Sequence, residues 1–175
     1  MRAFVLSVAL ACGCSPGSTP ADLVFVGGPV YTQDSSRPWA EALAIRGKHI
    51  VYVGSRRDAE AVIGDSTRVI DLDSRLLLPR IGDDALVAIH EAVTGRTLRG
   101  RVVATEVVPV ETAIETHSSG SLVVGAHANL TVLQENILKI APDRIAETKA
   151  EMSVVDGEIR YVAATFDQGF STTLQ

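Results

Sequence analysis

The sequence predicts a mainly β fold with short helices, an α+β chain in which an N-terminal and a C-terminal run of strands form the two parts of one small composite β-sandwich. Three observations predict it. Short apolar, β-branched runs separated by turn residues fill 22–79 and return over 120–165. Two-residue turn signals, Gly47-Lys48 and Asp156-Gly157, sit between such runs. The stretch between the two parts, 80–119, changes to helical spacing.

The elements follow in order. Leu23 to Phe25 forms a strand, Val26-Gly27-Gly28 a turn, and Val30-Tyr31 begins the returning strand. Ser35 to Pro38 is a polar loop. Ala42 to Arg46 and His49 to Val53 are the arms of a hairpin around Gly47-Lys48. Arg57 to Ile63 is a short helix stopped by Gly64, and Arg68 to Leu72 and Arg75 to Leu78 pair around Asp73-Ser74. Strands at this spacing argue an antiparallel arrangement. Leu86, Ile89, Ala92 and Val93 give an amphipathic helix over Asp84 to Thr94, with Asp83 or Asp84 to cap it and Gly95 to stop it. Val107 to Thr116 is ambiguous. Leu122 to Val124, Leu130 to Leu133, Met152 to Val155 and Ile159 to Val162 are strands. Ala141 to Lys149 is a short helix with Pro142 in its first turn, and Asp156-Gly157 turns the last hairpin because glycine accepts a positive φ without steric cost.

With 175 residues, 46% hydrophobic and 21% charged, the chain can bury one domain's core and is not compositionally disordered. Its net charge is −5 and its Lys and Arg are scattered, which excludes a nucleic-acid footprint. Arg2 and the apolar run Ala3 to Ala11 read as an export signal, too short to span a bilayer. The run ends in Leu10-Ala11-Cys12-Gly13-Cys14-Ser15, which resembles a bacterial lipobox. Cys14 is the preferred lipidation site, with Cys12 and plain secretory cleavage as alternatives. Residues 1–14 are then the signal, 15–21 a flexible tether, 22–79 with 120–165 the sandwich, 80–119 a helix-containing connector and 166–175 a tail. Both cysteines precede the tether, so the body has no disulfide and no thiol nucleophile. The expected location is the outer side of a bacterial membrane, as a lipid-anchored periplasmic or cell-surface protein.

The strand series ADLVFVGGPVYT, PWAEALAIRGKHIVYVGS and TRVIDLDSRLLLP, with GSLVVGAHANLTVL and APDRIAETKAEMSVVDGEIRYVA later, resembles the amidohydrolase superfamily, in particular its amidohydrolase-3 branch of metal-dependent hydrolases. The resemblance covers roughly two thirds of the chain. It implies a composite sandwich beside a (β/α)8 barrel, hydrolysis of non-peptide C–N bonds, and a divalent metal such as zinc that activates water. In the family, the strand matching Leu76-Leu77-Leu78-Pro79 leads into an Asp-x-His-x-His segment that binds the metal. Here Arg80-Ile81-Gly82-Asp83-Asp84 follows, and no His-x-His occurs anywhere in the chain. Asp84 to Arg101 resembles the helix and loop near the barrel's end, and Val110 to Ile114 the start of the next helix. Most of the barrel is missing. Asn129 stands where the family tends to have Asp, which bears on a turn contact and on nothing catalytic.

The candidate site residues are few. Asp83 has two readings: the family's final catalytic Asp, from the resemblance of Gly82-Asp83, or a cap for the following helix, which is preferred. A hydrolytic zinc site wants about three protein ligands, and the four histidines, His49, His90, His117 and His127, have no recognised ligand spacing. Each is expected in a surface or capping role, with His90 and His117 beside Asp83 or Asp84 as the metal-site candidate. Ser118 and Ser119 adjoin His117 without a nucleophile elbow. No cofactor is expected unless the family activity survives. The expected function is an amidohydrolase-family protein reduced to its sandwich, without hydrolase activity alone. The alternatives are a lipid-anchored binding or oligomerisation module, partnered by itself or by a chain that supplies the barrel, and an internally deleted gene product without function.

Overall fold

The computed structural model describes residues 19–166. The export segment with Cys12 and Cys14, and the tail from 167, lie outside the described residues.

Among the described residues, ten strands form two sheets. The first has the order β5-β4-β1-β6, from β1 (Leu23–Val26), β4 (Ala42–Arg46), β5 (His49–Gly54) and β6 (Arg68–Asp71). The second has the order β10-β9-β8-β7-β2-β3, from β2 (Val30–Tyr31), β3 (Trp39–Ala40), β7 (Leu76–Pro79), β8 (Leu130–Leu133), β9 (Ala150–Val155) and β10 (Glu158–Val162). The β7–β8 ladder, Leu76 opposite Leu133 through Pro79 opposite Leu130, joins the N-terminal part of the chain to the C-terminal part.

Two expected strand pairs do not form. The chain leaves β1 at Gly27-Gly28 and enters β2 in the other sheet, and it leaves β6 at Asp73-Ser74 and enters β7 in the other sheet. The physical reason lies in the pairing of the two crossovers with each other. Ser74 N–H donates to Gly27 O at 2.8 Å, Leu72 N–H to Val26 O at 2.7 Å and Leu77 N–H to Pro29 O at 3.0 Å. β1 therefore pairs parallel with β6, and β2 parallel with β7, so both sheets are mixed rather than antiparallel. Gly28 is required there, since a Cβ at that position would lie 2.5 Å from Arg75 O.

The hairpins stand where the turn residues place them. β4 and β5 turn at Gly47-Lys48 with Arg46 opposite His49, and β9 and β10 turn at Asp156-Gly157, whose φ values of 50° and 77° are those of a primed two-residue turn. Asn129 Oδ1 accepts the Asp156 N–H at 2.8 Å and so holds that turn. Leu122 to Val124 is irregular rather than a strand: Leu122 is buried and its N–H donates to the loop carbonyl of Thr32 at 2.8 Å.

Three apolar layers hold the fold. Leu23, Phe25, Leu43, Ile45 and Ile70 of the first sheet meet Val30, Leu77, Leu130, Val132 and Met152 of the second. This is the sandwich core. The outer face of the first sheet packs Val24, Val26, Ala42 and Ala44 under Ala59 of the short helix α1 (Arg56–Ala59), which a 3-10 turn over Glu60–Val62 extends. The outer face of the second sheet presents Tyr31, Leu76, Leu78 and Leu133. These pack against Ala85 and Ile89 of α2 (Ala85–Thr94), Ala113 and Ile114 of α3 (Val110–His117), and Ile145. α3 is the resolution of the ambiguous Val107 to Thr116 stretch. Ile145 sits in the short helix expected there, a 3-10 helix over Pro142–Glu147. Full burial of one such Leu or Ile side chain stabilises by about 1.5–3 kcal/mol, so the helical cover contributes substantially to the fold.

Candidate functional site

Where β7 ends, the backbone turns outward through Arg80, Ile81 and Gly82 into α2. Arg80 N–H donates to Asn129 O at 3.1 Å, and Ile81 N–H to the buried Thr131 hydroxyl at 3.3 Å. This turn and the outer faces of β8, β9 and β10 line a cleft of about 890 Å³. Its rim carries Arg80, Asp83, Lys149 and Arg160, and its walls include Leu86 and Tyr161. Arg160 is paired with Glu158 at 2.8 Å, whereas neither Arg80 nor Lys149 has an ion-pair partner among the described residues. The nearby Glu151 carboxylate is taken by Arg75 and by the Thr165 hydroxyl, which donates at 2.9 Å. The cleft is thus a cationic, half-apolar surface beside the helical cover.

Asp83 lies exposed on that rim, at the entry to α2. Asp84 occupies the N-cap position, but neither carboxylate caps the helix: Asp84 has φ −93° and ψ 4°, outside the extended geometry that aims a cap side chain at the first turn, and makes no side-chain cap bond. The turn is closed instead by backbone, Ala85 N–H to Gly82 O at 3.1 Å. The stop is as expected, with Gly95 at φ 68° and its N–H on Glu91 O.

His90 corrects the expectation of a surface or capping histidine. It is 5% exposed, on the face of α2 that meets the 3-10 helix, and its Nδ1 lies 3.1 Å from Pro142 O. A carbonyl only accepts, so Nδ1 carries the proton and the ring serves as a packed helix–helix contact. His117 ends α3, half-buried. Ser118 beside it donates its hydroxyl to Gln33 Oε1 at 2.9 Å and is not placed against a general base. Among the described residues no group of three or more His, Cys, Asp and Glu side chains is placed to hold a metal ion. The residues present therefore do not fit the three-ligand hydrolytic centre that the resemblance implies, and no chemical step is derived through one.

The two remaining histidines meet elsewhere. His49 opens β5 and His127 precedes β8; they face each other in an isolated antiparallel bridge with ring centroids 4.9 Å apart. His127 Nδ1 lies 3.0 Å from Asp156 Oδ1, and this hydrogen bond, with Lys48 adding to it, holds the Asp156 carboxyl below its ordinary value. Sequence spacing could not find this group, because its three members come from 49, 127 and 156 and meet only when the two hairpin turns are brought side by side. A Cβ on Gly157 would lie 1.8 Å from Gly47 O, which measures how closely those turns approach.

Residues 82–161 match the model of the Amidohydrolase family. Over that stretch, a little under half of the chain, the sequence is similar to the amidohydrolase superfamily. Protein LONG AFTER FAR-RED 3 of Arabidopsis thaliana is 37% identical over 68 residues, which make up 39% of this chain and 12% of that protein. The chain thus spans about one eighth of the length of the curated relative it matches. A Bacillus thuringiensis structural-genomics target is 27% identical with a TM-score of 0.34, covering 38% of this chain and 88% of that one. A metal-dependent hydrolase from Pyrococcus furiosus is 21% identical with a TM-score of 0.31, covering 40% of this chain and 15% of that one. Where β7 ends the sequence runs Arg80-Ile81-Gly82-Asp83-Asp84, and no His-x-His follows anywhere in the chain.

Proposed function

We propose that this chain is the β-sandwich of an amidohydrolase-superfamily protein acting as a folded binding module, without the family's metal-dependent hydrolysis of non-peptide C–N bonds. One observation carries the reading: the segment between β7 and β8 folds back as α2 and α3 and covers Tyr31, Leu76, Leu78 and Leu133 on the outer face of the second sheet. A sheet face covered in this way does not depend on a barrel for its burial. The absence of His-x-His from the sequence and the use of His90 as a packing residue support the same reading. The module is exported and anchored through a lipid on Cys14. The cationic cleft beside Arg80 and Lys149 is its binding surface.

The test is hydrolysis of a panel of amides, lactams, cyclic ureas and carbamoyl compounds by the full chain supplied with zinc or manganese. No turnover above the metal-only control is expected. Turnover that is lost with Asp83→Asn would overturn the reading. For the anchor, the intact mass of the membrane fraction from a bacterial host reads lipidation directly. A diacylglyceryl adduct abolished by Cys14→Ser is expected, and an adduct that survives that change moves the anchor to Cys12.

A second reading, self-association, is favoured by one specific feature. Leu98, Val102, Val103 and Val107 are exposed at 60%, 60%, 48% and 55% in the irregular segment between α2 and α3. Apolar side chains so concentrated on a surface mark association sites. Size exclusion with light scattering tests this: a dimer that becomes a monomer with Leu98→Ser and Val107→Ser supports it, and a monomeric parent protein contradicts it.

A further inference from the structure

We propose that His49 and His127 form a two-imidazole site for a divalent transition-metal ion, with Asp156 as the positioning residue for His127. The site lies at the corner where the β4–β5 and β9–β10 turns meet. It is separate from any centre the superfamily would place in its barrel.

Geometry is the first support. An imidazole nitrogen binds zinc at about 2.0–2.1 Å, and the ring centroid lies about 1.1 Å behind that nitrogen, so each centroid sits about 3.2 Å from a shared ion. Two rings subtending about 90–110° at the ion then have centroids about 4.5–5.2 Å apart. The observed separation is 4.9 Å, with the ring planes inclined at 61°. The isolated bridge fixes the two backbones opposite each other, so both side chains leave from the same corner.

Tautomer is the second support. His49 Nδ1 lies 3.2 Å from Gly125 O and His127 Nδ1 lies 3.0 Å from Asp156 Oδ1. A carbonyl and a carboxylate both accept, so each neutral ring carries its proton on Nδ1 and keeps a lone pair on Nε2. An imidazole that donates one N–H to a carbonyl or carboxylate and offers its other nitrogen outward is the arrangement that orients metal-bound histidines. Neither Nε2 has a hydrogen-bond partner among the described residues.

Access and charge complete the case. The His127 side chain is 59% exposed and His49 is exposed, so water can fill the remaining coordination positions. The Asp156 carboxylate, held against His127 by that hydrogen bond, places an acidic group beside the site. Lys48 Nζ, 4.0 Å from Asp156 Oδ2, is the opposing cation at this corner. Two neutral nitrogen ligands without a thiolate favour Cu²⁺ over Zn²⁺ and Ni²⁺, following the usual order of stability. Because His49 belongs to the N-terminal part and His127 to the C-terminal part, a bound ion ties the two parts together and raises thermal stability by mass action.

The experiment is titration of the full chain, purified without a His tag, with Cu²⁺ and with Zn²⁺. It is followed by calorimetry, by electron paramagnetic resonance of the copper form and by thermal melting. One copper per chain is expected, with nitrogen hyperfine structure from two imidazoles and a rise in Tm on adding either metal. His49→Ala and His127→Ala are each expected to weaken copper binding at least tenfold, while His117→Ala leaves it unchanged. Both substitutions are at exposed positions, and circular dichroism checks that the fold persists. Asp156→Asn keeps the positive-φ turn and is expected to weaken binding about tenfold, the effect of losing an outer-shell carboxylate. Recovery is expected in Asp156→Glu, which restores the carboxylate. Copper binding of equal strength in His49→Ala and His127→Ala, or no stoichiometric binding by the unaltered chain, would overturn the proposal.

Discussion

The Arg75 guanidinium donates through Nε to the Glu151 carboxylate, and this ion pair locks the crossover between the sheets onto strand β9. Glu151 is buried and Arg75 half-buried, and Arg75 also lies over the Phe166 ring, 4.9 Å from its centroid. One partner comes from the N-terminal part of the chain and the other from the C-terminal part. Their contact, with the β7–β8 ladder, makes one domain of two sequence-distant runs.

Removing Arg75 leaves a buried carboxylate without its cation. Arg75→Ala is expected to destabilise by about 3–5 kcal/mol, because uncompensated buried charge is costly. Urea unfolding followed by circular dichroism measures it. Arg75→Ala combined with Glu151→Gln should recover part of the loss.

Gly28 sits where the two crossovers touch. A Cβ there would lie 2.5 Å from Arg75 O and 2.6 Å from Leu72 Cβ, and the nearest atom is backbone. Gly28→Ala is expected to cost about 1–3 kcal/mol through overpacking. Gly82, whose added Cβ would meet nothing within 4 Å, is the control, and Gly82→Ala should leave Tm nearly unchanged.

The cover over the second sheet rests on Ile89, which is fully buried against that face. Ile89→Ala is expected to cost about 2–5 kcal/mol. It should also increase binding of an apolar dye, since it loosens α2 from the sheet. A loss of stability below about 1 kcal/mol would mean that α2 does not seal the core.

The Asp156–His127 pair sets a pH dependence. The folded Asp156 carboxyl is held below its ordinary value, first by the hydrogen bond from His127. Its contribution is therefore present above the unfolded value of about 3.9 and is lost as pH falls through the lower folded value. Melting curves from pH 6 down to pH 3 should show a shallower acid decline for Asp156→Asn than for the parent chain, with the two curves parallel above about pH 5.

What could be read in advance was local. The β4–β5 and β9–β10 hairpins were legible because Gly47 and Asp156-Gly157 specify their turns within two residues. α2 was legible from its apolar spacing and its terminal glycine. The Gly27-Gly28 and Asp73-Ser74 segments carry the same kind of turn chemistry, yet they are sheet-to-sheet crossovers, because each is paired with the other along the sandwich edge. Leu122 looked like a strand residue from its apolar neighbours, but its N–H is held by the loop carbonyl of Thr32. Asp84 reached the cap position without capping, since its backbone is not extended. His90 was hidden for a different reason: its partner, Pro142 O, lies 52 residues away. The His49, His127 and Asp156 corner depends on the same long-range closure.

We propose that this sandwich, similar over residues 82–161 to the Amidohydrolase family, carries no hydrolytic metal centre. The most direct test is metal content by plasma mass spectrometry on the double variant His49→Ala with His127→Ala. The sample is the chain from residue 15 onward, offered zinc and manganese and then desalted. The double variant separates the corner site from any hydrolytic one. Less than a tenth of an equivalent of metal per folded chain is expected. Near-stoichiometric metal in that variant would contradict the account and place a centre among His90, His117 and the neighbouring carboxylates.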